Sequence, residues 1–361
     1  MATTITIPAR PIDTPDAWRG DDLARSTEWI RPFSPAELDE LHGALGAVTR
    51  RGLAWRDITR DDFPLARLSR ELAAVGHELE HGRGVVLLRG LPVERYTEDE
   101  LRQLYWGLGV HLGTPRHQNA QGELIGEVRD EVRVYGTVQE LKPAATGEAP
   151  TSRYKARSSG PLRFHTDRVD VVALLCVRQA VSGRLSKVVS SVAVHNEMLA
   201  RRPDLHGLLF GDYHRTRQGE EAGGEGSVYA LPVWGVRDGR FTSQYSRTFV
   251  EAAQRRPDVP RLSAAQDEAL DLLAELCEEL CYEMTLEAGD IQLLNNHVTY
   301  HARTAYVDDP GAKRDRLLFR LWLSMPESRA LPEGFEVLWG RIEAGALRGG
   351  IEQPAERAAG R

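Results

Sequence analysis

Cysteine is scarce in this 361-residue chain: Cys176, Cys277 and Cys281 are all there are, too few for a disulfide framework. Cys277 and Cys281 stand four apart in a helical stretch with no further ligand nearby, so they read as core thiols rather than a metal site. Long apolar runs are also missing. The longest, residues 85–88 and 171–177, fall far short of a membrane span. Residues 1–11 show no basic segment leading into an apolar one, so no signal peptide is expected, and the free thiols suit a reducing cytoplasm. There is no extended basic stripe, and a net charge of -7 with a pI near 5.9 argues against a nucleic-acid partner. Internal repeats are absent. What the chain has is 41% hydrophobic residues, enough for a large core in one elaborated domain or two ordinary ones.

Residues 34–82 read as helical. Ser34-Pro35-Ala36-Glu37 is an N-cap signature, and Leu68, Leu72, Val75 and Leu79 make one apolar helix face that ends at Gly82. A buried strand follows over 85–90, then a capped helix from Thr97 to about Leu108. Residues 123–160 are polar and rich in small residues, and such a long excursion predicts a lid. From Phe164 onward strands dominate (169–177, 186–192, 228–236, 240–244, 291–295, 316–324), interrupted by a helix over 263–281. Many short strands around one long helix predict a mainly β chain with α insertions: a double-stranded β-helix of the jelly-roll or cupin type, flanked by helices. The tail beyond Leu331 reads as helix or loop packed outside the core.

Three histidine patterns compete as metal sites. In His165-Thr166-Asp167, residues i and i+2 of a strand or strand end would share a face and could chelate one ion. His195-Asn196-Glu197 has the same spacing but sits in a helical segment, where i and i+2 diverge by about 200°, so His195 reads as structural. His77-Glu78-Leu79-Glu80-His81 has the letter pattern of a zinc protease helix with Glu78 as base. Both of its histidines lie opposite the apolar face, however, and no further ligand motif follows, so an exposed helix face is expected. Downstream, residues 289–303 read as a turn, a strand, and His301 at the strand end. The next strand alternates Arg316, Leu318, Arg320 and Trp322 against Leu317, Phe319, Leu321 and Leu323. Arginines inside an apolar strand are costly unless each meets an anion, and a guanidinium fork suits a carboxylate. Upstream, Arg153, Lys155, Arg157, Arg163 and Arg168 crowd the approach to His165; they form either a solvated loop or an electropositive mouth that favours anions.

Two imidazoles and one carboxylate are the usual non-haem Fe(II) ligand set. The ordered set His165-x-Asp167, Ser182-Gly183-x-x-Ser186, Gly289-Asp290, Asn295-Asn296, His301-x-Arg303 and Arg316-x-x-x-Arg320-Leu-Trp-Leu resembles the TauD/TfdA family of Fe(II)- and 2-oxoglutarate-dependent dioxygenases. The resemblance covers about residues 85–325. It implies iron ligation by His165, Asp167 and His301, with 2-oxoglutarate and dioxygen as co-substrates. Arg316 would hold the distal 2-oxoglutarate carboxylate, with Ser186 assisting, although Arg184 stands where relatives often have glycine. Arg320 would touch either substrate or co-substrate, and Gln118 and Asn119 would face the substrate; Arg168, from the basic run, is a further substrate-side candidate. The implied reaction hydroxylates an unactivated C–H bond of a small, anionic or amino-acid-derived molecule, releasing succinate and CO2. Asp167 fills the position a halide would need, which disfavours halogenation. On this reading residues 1–361 form one cytoplasmic oxygenase domain: a helical region over 1–84, a jelly-roll core over 85–325 and a tail over 326–361. It takes a small-molecule partner, neither nucleic acid nor membrane, and leaves room for a homo-oligomer. A non-oxygenase cupin and a zinc protease are the alternatives.

Overall fold

The computed structural model describes residues 7–131, 157–183, 185–217, 221, 225–309 and 315–353. Two antiparallel sheets face one another. The larger runs β1 (Ile30–Pro32), β2 (Val85–Arg89), β14 (Ile291–Asn295), β6 (Val171–Arg178), β17 (Leu317–Ser324) and β3 (Thr114–Pro115), with β4 (Ile125–Val128) also on β17. Among the described residues only its β1–β2 pair is parallel. The smaller runs β13 (Tyr282–Met284), β8 (Ser186–Ser190), β15 (Thr299–Arg303) and β5 (Leu162–His165). Apart from these stand the hairpins β9 (Asp212–Thr216) with β10 (Val228–Pro232) and β11 (Trp234–Arg237) with β12 (Arg240–Ser243), and the short pair β7 (Ser182–Gly183) with β16 (Tyr306–Val307).

Strand alternation sorts the core into layers. In β17, Leu317, Phe319, Leu321 and Leu323 pack outward under the helices Pro35–Arg50, Leu68–His81 and Glu98–Leu112, while Leu318 and Trp322 point between the sheets toward Val188 and Met284. On the far side, Val189 and Tyr300 pack under the helices Ser191–Arg201 and Ala264–Leu280. Phe319 is fully buried, so its truncation to alanine would cost about 3–5 kcal/mol. Gly289 makes the turn into β14 with φ 89°, and a Cβ there would collide with the Leu91 carbonyl oxygen.

Three expectations change. The N-terminal region is not purely helical, because Ile30–Pro32 adds an edge strand beside β2. The stretch from Gly289 to Arg303 is two strands: β14 lies in the large sheet, β15 in the small one, and the buried corner Asn296-His297-Val298 carries the chain across. His301 therefore sits in mid-strand. The tail is no outer appendage either. Arg348 is 2% exposed; its Nε donates to Asp170 Oδ1 at 2.7 Å, beside His297 Nε2 at 2.9 Å, while Met325 N donates to Asp170 Oδ2 at 2.9 Å. That network ties the start of β6, the β14–β15 corner and the end of β17 to the C-terminal segment. The expected lid falls mainly on residues 132–156, outside the described residues, as do Arg153, Lys155 and Arg184.

Candidate active site

His165 ends β5 directly opposite His301 in β15, and paired residues on neighbouring strands share a face. Their ring centroids lie 4.2 Å apart. His165 Nδ1 lies 2.9 Å from the Arg163 carbonyl oxygen, an acceptor, so it carries the proton and leaves Nε2 with a lone pair. Both Nε2 atoms look toward Asp167, at 3.9 Å from Oδ1 for His165 and 3.8 Å from Oδ2 for His301. Asp167 is not on the strand: β5 stops at His165, so strand periodicity does not aim the carboxylate. The loop that carries it is pinned instead. Thr166 N donates to the Tyr245 carbonyl, Asp167 N to Asn296 Oδ1, and Asn296 Nδ2 to the Val169 carbonyl, each at 2.9 Å.

Electrostatics set the three groups in the states a metal needs. Burial, then the neighbouring His165, pushes the His301 imidazole down to about 3, and burial also lowers His165. Burial opposes ionisation of Asp167, yet Arg320, the two imidazoles and the Trp322 N–H together hold its carboxyl below the ordinary range. Trp322 Nε1 donates to Oδ2 at 3.1 Å, and Arg320 Nη1 lies 3.9 Å from Oδ1. Two neutral imidazoles and a carboxylate, all buried, thus place one ligand atom each within 4.8 Å of one another. The imidazole–carboxylate separations of 3.9 and 3.8 Å are within reach of one cation with bonds of about 2.0–2.2 Å, and this donor set fits Fe(II).

A cavity leads from the two histidines between the sheets, past Leu174, Ser186, Arg303 and Leu318, to Arg316. Arg316 is buried, its guanidinium lies 5.1 Å from the Tyr306 ring centre, and Nη1 has no hydrogen-bond partner. Burial lowers its pKa. Beside it, Arg303 Nη2 donates to the carbonyls of Ser158 and Gly160 at 2.7 and 2.6 Å; burial and then Arg316 bring Arg303 down to about 9. A buried guanidinium with an unused N–H calls for an anion. Ser186 Oγ faces the cavity and donates to Gln292 Oε1 at 3.2 Å. Metal donors at one end and a cation at the other suit a molecule with a chelating head and a distal carboxylate.

The remaining candidates divide. Gln118 is buried and accepts Arg320 Nε at 2.6 Å, while its own amide donates to the carbonyls of Leu124 and Arg320. Asn119 braces its own turn: Oδ1 accepts from the backbone of Gln121 and Glu123, and Nδ2 donates to Glu123 Oε2. Arg157 pairs with Glu131 and Glu123, Arg163 with Glu251, and Arg168 with Glu225, so the described basic residues are ion-paired rather than an open mouth. His77 and His81 are exposed, with Glu327 alongside, but Glu78 turns to Arg83 and does not face them. His195 is buried against the rings of His206, Trp234 and Phe241. Sequence reasoning missed how Asn296 and Trp322 grip Asp167. Both stood within the family motifs, but their partners are 129 and 155 residues away and no local pattern reveals them.

A jelly roll with a buried two-histidine, one-carboxylate cluster at one end of a cation-ended cavity defines a metal-dependent oxygenase scaffold. The profile of the "Taurine catabolism dioxygenase TauD, TfdA family" matches residues 46–322, and the chain belongs to that family. It is a 2-oxoglutarate-dependent dioxygenase that uses Fe(II), 2-oxoglutarate and dioxygen. The chain is 30% identical to FR-33289 synthase of Streptomyces rubellomurinus over 93% of its length and 97% of that protein. It is 28% identical to a taurine hydroxylase-like protein of Stachybotrys chartarum, over 84% of this chain and 77% of that one. Among solved structures, asparagine oxygenase with Fe(II), 3-hydroxyasparagine and succinate superimposes at a TM-score of 0.60 with 18% identity, covering 82% of this chain and 94% of that one. The non-heme iron oxygenase OrfP with Fe and alpha-ketoglutaric acid gives 0.57 and 16%, with the same coverage. Among the described residues no helix is long and apolar enough to cross a membrane.

Proposed function

We propose that His165, Asp167 and His301 hold the iron, that Arg316 grips the distal carboxylate of 2-oxoglutarate with Ser186 beside it, and that the enzyme hydroxylates a small anionic or amino-acid-derived molecule. The observation that carries this is the cavity joining the ligand cluster to the unpartnered Nη1 of buried Arg316. When bound, Fe(II) with 2-oxoglutarate supplies the oxidising chemistry at the positions the three protein ligands leave open. The chain's residues do the rest. The Arg163 carbonyl fixes the His165 tautomer, Trp322 and Asn296 orient Asp167, and the apolar walls of Leu174 and Leu318 exclude water. Gln118 holds Arg320 beside Asp167, where its charge would meet an anionic substrate. Asn119 acts through the turn it braces. The whole chain works as one oxygenase domain, since Arg348 closes the network around Asp170 from the C-terminal side.

Relatives support the substrate class: the solved neighbours carry hydroxylated asparagine and hydroxylated arginine. Anaerobic titration of the protein with Fe(II) and 2-oxoglutarate should give a 2-oxoglutarate-dependent visible absorption. With air admitted, succinate release across a panel of amino acids, acylated amino acids and phosphonates should identify the substrate. No absorption change in folded protein would sink the proposal.

A further inference from the structure

Asp167 sits on a loop, so the peptide units on either side of it set where its carboxylate points. The N-terminal side is held by Asn296, whose Oδ1 accepts Asp167 N at 2.9 Å. On the C-terminal side, the carbonyl of the next residue, Arg168, accepts Gly350 N at 2.6 Å. Two residues earlier in the tail, Arg348 Nε donates to Asp170 Oδ1 at 2.7 Å. The tail thus holds the Asp167–Asp170 loop at two points. The next residue reaches a different wall: Ile351 N donates to the His117 carbonyl at 2.8 Å, and Arg116 Nε donates back to the Gly349 carbonyl at 3.1 Å. His117 adjoins Gln118, which accepts Arg320 Nε at 2.6 Å and so fixes that guanidinium with Nη1 3.9 Å from Asp167 Oδ1.

Residues 348–351 therefore form a crosspiece between the loop of the carboxylate and the arm that holds its neighbouring cation. The fit depends on two glycines. Gly349 and Gly350 have φ of 69° and 68°, in the left-handed region that costs any residue with a Cβ. A Cβ on Gly349 would stand 2.8 Å from the Arg168 carbonyl oxygen. One on Gly350 would stand 2.6 Å from Arg116 Cβ and 2.9 Å from the His117 carbonyl oxygen. Backbone approach this close leaves no room for a side chain on either wall, so the tail and both loops shift together. Gly345, also left-handed at 68°, is different: its Cβ would meet the Pro326 carbonyl and neither loop.

We propose that Gly349 and Gly350 are positioning residues for the iron site, the tail acting as a strap that aims Asp167 at the metal and keeps Arg320 beside it. The proposal rests on the ligand assignment above. Groups that orient a metal ligand from outside contribute about 10- to 100-fold in metal affinity, and a backbone clamp on the ligand's own loop works in the same way. Such coupling is reciprocal: a bound metal tightens the strap by the factor by which the strap tightens the metal.

Fe(II) affinity is measured anaerobically by calorimetry on the full chain, and 2-oxoglutarate affinity by visible absorption at saturating iron. Gly349→Ala and Gly350→Ala should each weaken Fe(II) binding on the order of tenfold. Their 2-oxoglutarate affinity at saturating iron should stay close to the parent's, since Arg316 lies at the far end of the cavity. Gly345→Ala, strained alike but clear of both loops, should lower Tm comparably and leave Fe(II) affinity intact. A merely structural tail predicts that all three variants behave alike. Should either strap substitution prevent folding, the unmodified protein still answers: Fe(II) should slow hydrogen exchange over residues 348–353 on the order of tenfold and leave 340–346 unchanged. Parental iron affinity in folded Gly350→Ala, an equal loss in Gly345→Ala, or no effect of iron on exchange over 348–353 overturns the strap. If the parent itself takes up no Fe(II), the ligand assignment falls with it; if the parent binds iron and the variants match it, the strap alone falls.

Discussion

Replacing Arg316 with methionine separates function from stability in one measurement. The guanidinium is buried, its Nη1 lacks a partner and its pKa is lowered by burial, so the protein without co-substrate carries a poorly compensated charge between its sheets. The effective cost of burying such an ion is several kcal/mol. Set against it are the Tyr306 ring contact, worth about 1–2 kcal/mol, and the packing lost with a shorter side chain, about 1 kcal/mol. The balance leaves Arg316→Met more stable than the parent by about 1–2 kcal/mol in metal- and co-substrate-free protein. At this chain length that raises Tm by about 1–3 °C. 2-Oxoglutarate loses its charge-assisted fork, which costs about 2–5 kcal/mol and so weakens binding roughly 30- to 1,000-fold or more. Differential scanning calorimetry gives the first quantity and anaerobic absorption titration the second. A variant that melts lower than the parent, or binds 2-oxoglutarate within threefold of it, would refute the reasoning.

Other perturbations follow from the same contacts. Trp322→Phe removes the donor to Asp167 Oδ2 while keeping the ring, and should weaken Fe(II) binding by about 10- to 100-fold in a calorimetric titration; an unchanged affinity would show that the carboxylate needs no orienting. His195, His206 and His297 are each driven by burial to about 4. Their folded values lie below the unfolded 6.5, so the unfolded chain takes up protons first as pH falls: their stability contribution is full above about 6.5 and is lost progressively toward 4. Tm should therefore drop through that window, less steeply in His195→Phe, and a flat profile between pH 6.5 and 4.5 would contradict it. Arg348→Met strips the tail's cation from buried Asp170 and should cost about 3–5 kcal/mol in urea denaturation; a loss below 1 kcal/mol would return the tail to a peripheral role.

Much of the fold can be read along the chain because it depends on local periodicity. The alternation in Arg316–Ser324 assigns each residue of β17 to its face, and Ser34 and Thr97 mark helix starts through side-chain caps that the structure reproduces. The corner at Asn296 is harder to see. Nothing in the mixed apolar and polar run from Ile291 to His301 says that the chain changes sheets there, because the turn is held by Asp167 and Asp170, more than a hundred residues upstream. The tail misleads for a similar reason: its glycines and charges look like a frayed end, while Arg348 is buried on an acid 178 residues away.

By itself the sequence determined the chemical class. Residue types at given spacings supply the candidate donors, and the ordered set of two histidines, an aspartate and two strand arginines resembles a family whose chemistry uses iron and 2-oxoglutarate. Only the tertiary structure decided how those groups meet. His165 and His301 share a site because β5 and β15 pair across the small sheet, and Asp167 turns toward them because Asn296 and Trp322 hold its loop. It also drew Glu225 and Arg217 onto Arg168. Charge pairing between distant segments depends on distance and burial in three dimensions, and neither is encoded in the spacing of residues along a chain.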